Sequence, residues 1–465
     1  MSGESDGGGQ REARLRAVPR KAPVRRGRLR RAGRVLTRRR GWFGFAVGVV
    51  AGATAGALVA VLLPAALAPA TGLESGELVI LSGKDDSAGG QRRALLDQWN
   101  ALHPDSPARI EELPSQADAQ HSEMVARAQS GSHPVDIYNL DVTSVAEFAH
   151  AGYLRPVRVT DADTEGFLAA PLATCRYAGK LWGLPFNSDA GLLFYRSDLV
   201  RVPPTTLTAV TDDIAAVLSR SGHDPRLVAG YTGQLADYEG LTVNALEAIW
   251  AAGGDVVDGE GHVVIDSPQT RAGLRWLATG LAAGNPQPIL RQSASFDESQ
   301  STSAFYDHQV LFLRNWPVAY RTLQAPPATG RPAGTGPPPF DVSRLPGPSV
   351  LGGQDLAIAR GSPRPRAAQA LIEFLTSERS QQILFERGGF AATREIVYHD
   401  ATVVDRYRYA PVLLDALRAA RPRPVTPHYP RFTEVFRGIV RSALRNGGQL
   451  PVDATRALAD ALRGY

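Results

Sequence analysis

The alternation between Leu78 and Gly152 constrains the fold most. Leu78–Leu81 is a four-residue apolar run, and a helical pattern follows from about Gly90, with Leu95, Trp99 and Leu102 on one face. His103-Pro104 stops that pattern, because a proline disfavours helical geometry in the residue before it. Ala108–Leu113 reads as a second strand and Glu123–Gln129 as helix. Val135–Leu140 is a third strand ending at Asp141, and Glu147–Ala151 is a helix closed by Gly152. Strands alternating with helices predict a parallel α/β sheet with right-handed crossovers. Ligands of such sheets collect beyond the strand C-termini, where the Ser82–Asp86 loop and Asp141 both lie.

A second constraint is Lys180–Arg196. Leu181–Pro185 and Leu192–Tyr195 are apolar, strand-like runs, and Asn187-Ser188-Asp189 sets three small polar side chains between them. The pattern fits a chain crossing from one lobe to another at a cleft, and it equally fits a buried hairpin with a polar turn. From Asp198 to about Leu281 the chain reads mainly helical, clearest at Thr211–Leu218 and Asn244–Ala252. Val310–Leu313 is a strand running into Arg314-Asn315-Trp316-Pro317. Pro326–Pro339 is a Pro/Gly-rich loop, Leu345–Gly353 another, and Leu356–Ala359 a strand. Ala367–Arg387 reads as one helix, and the C-terminal region as helical with a Pro-rich break at Arg421–Pro430.

Charge is segregated. Residues 1–40 hold fourteen Lys/Arg against Glu4, Asp6 and Glu12, a local charge of +11. The chain total is only +5, so the remainder carries −6 and offers no case for a nucleic-acid partner. Residues 1–40 predict a disordered basic tail. Trp42–Leu63 then has no charged residue over 22 positions. At about 1.5 Å rise per residue it would span the roughly 30 Å hydrocarbon layer. Arg38-Arg39-Arg40 on its N-terminal side places the tail in the cytoplasm and the rest outside. A signal anchor over 41–67 is the favoured reading. A signal peptide cleaved near Ala66-Leu67-Ala68 or Ala68-Pro69-Ala70 is the alternative. Residues 68–77 form a linker. Cys175, the single cysteine, excludes an intrachain disulfide and a Cys-based metal site.

Local signatures of catalysis are missing. There is no phosphate loop, no His-Glu-x-x-His and no Gly-x-Ser-x-Gly, and the nine histidines lack metal-ligand spacing. The reading is therefore of a non-enzyme without cofactor or metal. What stands out is aromatic residues beside hydrogen-bonding ones: Tyr238-Glu239, Asn315-Trp316 and Asn187-Ser188-Asp189. A ring face covers the C–H surface of a sugar while neighbouring polar groups satisfy its hydroxyls.

Through Leu95–Asn100, Asp136–Val142, Gly179–Phe186 with Asp189-Ala190-Gly191, Tyr238–Val243, Phe312–Pro317 and Leu345–Pro348, the chain resembles the sugar-type extracellular solute-binding proteins of ABC importers. The trehalose/maltose-binding subgroup is the nearest likeness. The resemblance implies a two-lobed, periplasmic-binding-protein-like α/β fold with a hinge and an interlobe cleft, here preceded by one N-terminal transmembrane helix. Lobe 1 would comprise about 78–188 and 342–385, and lobe 2 about 189–341 and 386–465. It also implies a saccharide ligand and permease subunits as partners. The implied ligand-binding residues are Asp85, Asp141, Asn187, Asp189, Tyr238, Glu239, Trp316, Gly352, Gly353 and Arg394. Asp141, Asp189 and Glu239 would accept from sugar hydroxyls, Trp316 would stack on a ring, the glycines would allow close backbone approach, and Arg394 would donate from the far lobe. Three features depart from the family: Val142-Thr143-Ser144 follows Asp141 where an aromatic is common, Ser82-Gly83 lacks a bulky ring, and a helix with a basic tail stands in place of a lipid-bearing cysteine. The last of these supports an alternative, a membrane-tethered sensor or scaffold using the same fold. A glycan-active enzyme is a more distant one.

Overall fold

The computed structural model describes residues 72–85, 89–114, 116–131, 135–324 and 336–465. The basic tail and the Trp42–Leu63 span lie outside the described residues. Among the described residues no helix is long and apolar enough to cross a membrane.

The elements that matter, in chain order, begin with β1 (Leu78–Gly83), α1 (Gln91–Leu102), β2 (Ala108–Leu113), α2 (Ala117–Ser130), β3 (Ile137–Asp141), α3 (Val145–His150) and β4 (Leu154–Arg155). Then come β5 (Gly183–Ala190), β6 (Leu192–Arg196), β7 (Ala229–Thr232), α4 (Glu239–Ala251), α5 (Pro268–Leu281), α6 (Glu298–Tyr306) and β8 (Val310–Asn315). The chain closes with β9 (Phe340–Arg344), β10 (Leu351–Ala359), α7 (Pro365–Leu375), α8 (Ala410–Ala419) and α9 (Tyr429–Arg445).

Two sheets result. The first runs β2-β1-β3-β10-β4, with β5 also paired to β10. Its β1–β2 and β1–β3 pairs are parallel, as the alternation predicts, and β10 is antiparallel to β3. The second runs β9-β6-β8-β7. Each sheet is covered on both faces, which is why strands such as Leu192-Leu193-Phe194-Tyr195 are apolar throughout rather than alternating. Successive residues feed different cores. Leu193 and Tyr195 pack with Leu246, Ile249, Phe432 and Phe436, while Leu192 and Phe194 pack with Phe305, Leu413 and Leu417. In the first sheet Leu78 and Ile80 meet Leu95, Trp99 and Leu371, whereas Leu81 meets Met124 and Phe148.

The chain passes between the sheets at three places. β5 enters β6 through Gly191 alone. A Cβ there would lie 2.6 Å from Glu247 Oε1 and 2.8 Å from Arg314 Nη2, so a side chain would collide with a buried ion pair. The second passage is 345–350, between β9 and β10. The third follows α7, where Ala391 bridges to Ser188.

Several expectations shift. Asn187-Ser188-Asp189 is not a kink between strands but the interior of β5, paired to Gln354, Gly353 and Gly352. The crossing falls after Ala190. β9 pairs with β6 in the second sheet, so lobe 1 resumes at β10 rather than at 342. β10 itself begins at Leu351, inside the stretch expected to be loop. The expected helix over Ala367–Arg387 breaks at Thr376-Ser377, where the Ser377 hydroxyl accepts from Ser380 N and starts a new helix. Cys175 is fully buried, and burial pushes its thiol well above the usual range, so it is packing rather than a reactive group.

Candidate functional site

A cavity of about 670 Å³ opens between the sheets, within the size range of small-molecule sites. Lobe 1 contributes Asp141, Asp189, Gly352 and Gly353. Lobe 2 contributes Tyr238, Glu239 and Trp316.

Asp141 ends β3 at the C-terminal edge of the sheet. Its Oδ1 accepts from Thr143 N at 2.9 Å and Thr143 Oγ1 at 2.7 Å, a local turn that aims the carboxylate. Thr143 thus serves to orient Asp141. Asp189 lies on β5 directly opposite Gly352. Glu239 is the first residue of α4, where the positive end of the helix favours a carboxylate.

Trp316 follows β8. Asn315 Oδ1 accepts from its backbone N–H at 2.8 Å, and Asn315 Nδ2 is anchored on Thr302 Oγ1 at 2.8 Å. One side of the indole is backed by the Arg314 guanidinium, 3.9 Å from the ring centroid. Arg314 is held in turn by both oxygens of Glu247, at 2.6 and 2.7 Å, and by Gln234 Oε1 at 3.1 Å. The indole N–H points to Glu298 Oε1 at 3.3 Å, and the Tyr238 hydroxyl donates to Glu298 Oε2 at 2.8 Å. A Cβ on Gly352 would stand 3.3 Å from the Trp316 ring and 3.2 Å from Asp189 Cβ. The missing side chain is what lets a ring from one lobe reach the strand of the other. Gly353 has φ of +121°, and a Cβ there would lie 2.3 Å from the Asn187 carbonyl oxygen.

Burial raises the Asp189 carboxyl to about 7, and the neighbouring Asp141 and Glu298 carboxylates act in the same direction against Arg314. Tyr238 is likewise raised, first by burial and then by Glu298.

Three expected residues do not line the cavity. Asp85 turns to Arg92, with Oδ2 3.2 Å from its Nε, because that buried guanidinium requires a counterion. Asn187 is buried beneath the site, its Nδ2 3.4 Å from Asp189 Oδ2. Arg394 lies over the Phe167 ring at 3.5 Å and donates to the Thr376 carbonyl at 3.0 Å, both within lobe 1 and away from the cleft.

The cation the sequence reading missed is Arg423. Its Nη1 reaches Glu239 Oε1 at 2.7 Å and its Nη2 reaches Asp141 Oδ1 at 3.1 Å, so one buried guanidinium ties the two lobes together. The Pro-rich break explains its precision. Pro422 and Pro424 flank it, and Arg421 pairs backbone to backbone with Ser349 and Leu351, so the segment is held extended along the crossing strand. A lone Arg between two prolines was the available signal. Farther out, Arg437 Nη1 of α9 meets Asp118 Oδ2 of α2 at 2.7 Å, again across the cleft. Glu298 was also missed, because Asp297-Glu298 reads as an ordinary helix start; Asp297 does cap α6.

The family model described as bacterial extracellular solute-binding protein matches residues 94–408. A Deinococcus radiodurans protein named "Probable ABC transporter-binding protein" is 26% identical over 368 residues, 75% of this chain and 84% of that protein. The maltose-bound MalE3 of T. maritima superposes with a TM-score of 0.72 and 27% identity, covering 83% of this chain and 99% of that one. The GacH receptor of Streptomyces glaucescens, solved unliganded and with acarbose, shares the fold at a TM-score of 0.68 and 22% identity, covering 84% of this chain and 99% of the receptor.

Proposed function

The chain belongs to the bacterial extracellular solute-binding proteins, and from that premise we propose that it is the extracytoplasmic substrate-binding component of an ABC importer, holding a di- or oligosaccharide between its lobes and releasing it unchanged. One observation carries the reading: a tryptophan from one lobe and carboxylates from both face a single cavity at the crossing strands. The tryptophan supplies a flat apolar surface for a pyranose ring, and Asp141, Asp189 and Glu239 accept from its hydroxyls. Contacts made to both lobes at once favour the closed arrangement, which is the form a permease would recognise. The maltose-bound T. maritima relative supports a saccharide as the class of ligand.

Thermal unfolding against a panel of neutral di- and oligosaccharides tests this. A ligand at about 100 times its dissociation constant adds about 2.7 kcal/mol of stability. A flat response to every saccharide overturns the reading and favours the scaffold alternative, and conversion of the sugar would favour an enzyme.

The uncharged Trp42–Leu63 run behind Arg38-Arg39-Arg40 supports a single-pass anchor with the basic tail in the cytoplasm. Fractionation should find the intact chain in membranes; a soluble, shortened form would overturn the anchor.

A further inference from the structure

The charge in the cavity is unbalanced. Among the described residues that line it are five carboxylates, from Asp141, Asp189, Glu239, Asp297 and Glu298, against one guanidinium, Arg423, and the imidazole of His121. Arg423 is spent on Glu239 and Asp141. Asp297 is occupied as a helix cap, accepting from Gln300 N at 2.9 Å. His121 is paired with Glu147 at 2.6 Å. Asp189 and Glu298 remain. Asp189 has one long contact, from the Asn187 amide at 3.4 Å. Glu298 accepts from two neutral groups, the Trp316 indole and the Tyr238 hydroxyl. Arg314 lies close enough to influence both, but its guanidinium is packed on Trp316 and consumed by Glu247 and Gln234. Among the described residues the cavity therefore sets two carboxylates, Asp189 and Glu298, that neither an ion pair nor a helix cap occupies, near the edge of one indole.

A neutral sugar would satisfy their lone pairs but offset no charge, and burial already disfavours the charged form of Asp189, which is raised to about 7. A protonated amine answers both needs. It donates three hydrogen bonds and it offsets the charge. Deepening the saccharide reading above, on which this rests, we infer that the cleft takes an amino sugar, with its ammonium group held by Asp189 and Glu298 beside Trp316.

The test is calorimetry on the purified protein with matched pairs that differ only in an amine and a hydroxyl: glucosamine against glucose, and β-1,4-linked di-glucosamine against cellobiose. The amine member of a pair should bind at least tenfold more tightly. In Asp189→Asn, which removes the charge and keeps the shape, that ratio should fall towards one while the melting temperature holds or rises, because a carboxyl disfavoured by burial has been replaced. Equal or tighter binding of the neutral member in each pair overturns the inference, as does an undiminished preference in Asp189→Asn. Silence towards all four compounds also overturns it. If the neutral panel binds, the saccharide reading survives that failure; if the neutral panel is silent too, both fall.

Discussion

Trp316→Ala is expected to weaken saccharide binding by about thirty- to a hundredfold, read by calorimetry on a variant that still melts cooperatively. A buried aromatic ring removes of the order of 150–250 Å² from water, and at about 25 cal/mol per Å² its apolar contribution reaches several kcal/mol, of which a ligand-facing half is lost on truncation. The effect should exceed that of any single carboxylate, because the ring is held from three directions. Arg314 backs it, Asn315 fixes its backbone, and Glu298 accepts from its N–H. Trp316→Phe keeps a face and loses the N–H, so it should show a smaller loss. Gly352→Ala probes the same spot from the other lobe: the new methyl group would press on the indole at 3.3 Å and should weaken binding without unfolding the protein. An unchanged dissociation constant in Trp316→Ala would remove this residue from the site.

The elements of lobe 1 were legible because they are local. Leu78–Leu81, Ala108–Leu113 and the helix carrying Leu95 and Trp99 appear where periodicity puts them. α2 was read six residues short at its N-terminus, since it starts on a Gln116 cap and buries only Met124, leaving little apolar rhythm over Ala117–Ser122. β10 was partly hidden for another reason. Gly352-Gly353 reads as a turn, yet both glycines sit inside a strand because a neighbouring strand and a tryptophan approach too closely for a side chain. Asp141, Asp189, Tyr238, Glu239, Trp316 and the two glycines converge on one cavity because the implied family pattern carries position as well as type. Asp85 and Arg394 were wrongly placed for want of their partners: Arg92 lies only seven positions after Asp85, on the helix that follows, while Phe167 is distant from Arg394 in sequence. Arg423 shows the same limit in reverse. The flanking prolines mark it as held in place, but they do not say that it would lie between Asp141 and Glu239, 282 and 184 positions away.

That bridge gives the other large expected effect. Arg423→Met keeps the length of the side chain and removes the charge, leaving the largely buried Glu239 without a cation and Asp141 half-solvated. Breaking a buried pair from one side costs about 3–5 kcal/mol. Here the loss should be nearer 3, because Glu239 keeps the hydroxyls of Tyr429 and Thr433 and because Asp141 is exposed enough to recover hydration. The same change should shift the hinge. With Arg423 present, Asp141 and Glu239 share a cation across the cleft; without it they repel, and the open arrangement gains population. A tenfold loss of affinity corresponds to only about 1.4 kcal/mol of such bias, so a drop of that size or more is expected for neutral saccharides. Small-angle scattering of the unliganded variant should give a larger radius of gyration. Adding Glu239→Gln should recover part of the lost stability by removing the stranded charge, while leaving the lobes untied. Arg437→Ala, which cuts the outer contact to Asp118, should open the cleft with a smaller loss of stability, since Asp118 is well solvated. If Arg423→Met melts and binds as the parent does, the guanidinium is a bystander, and closure rests on the ligand and the crossing strands alone.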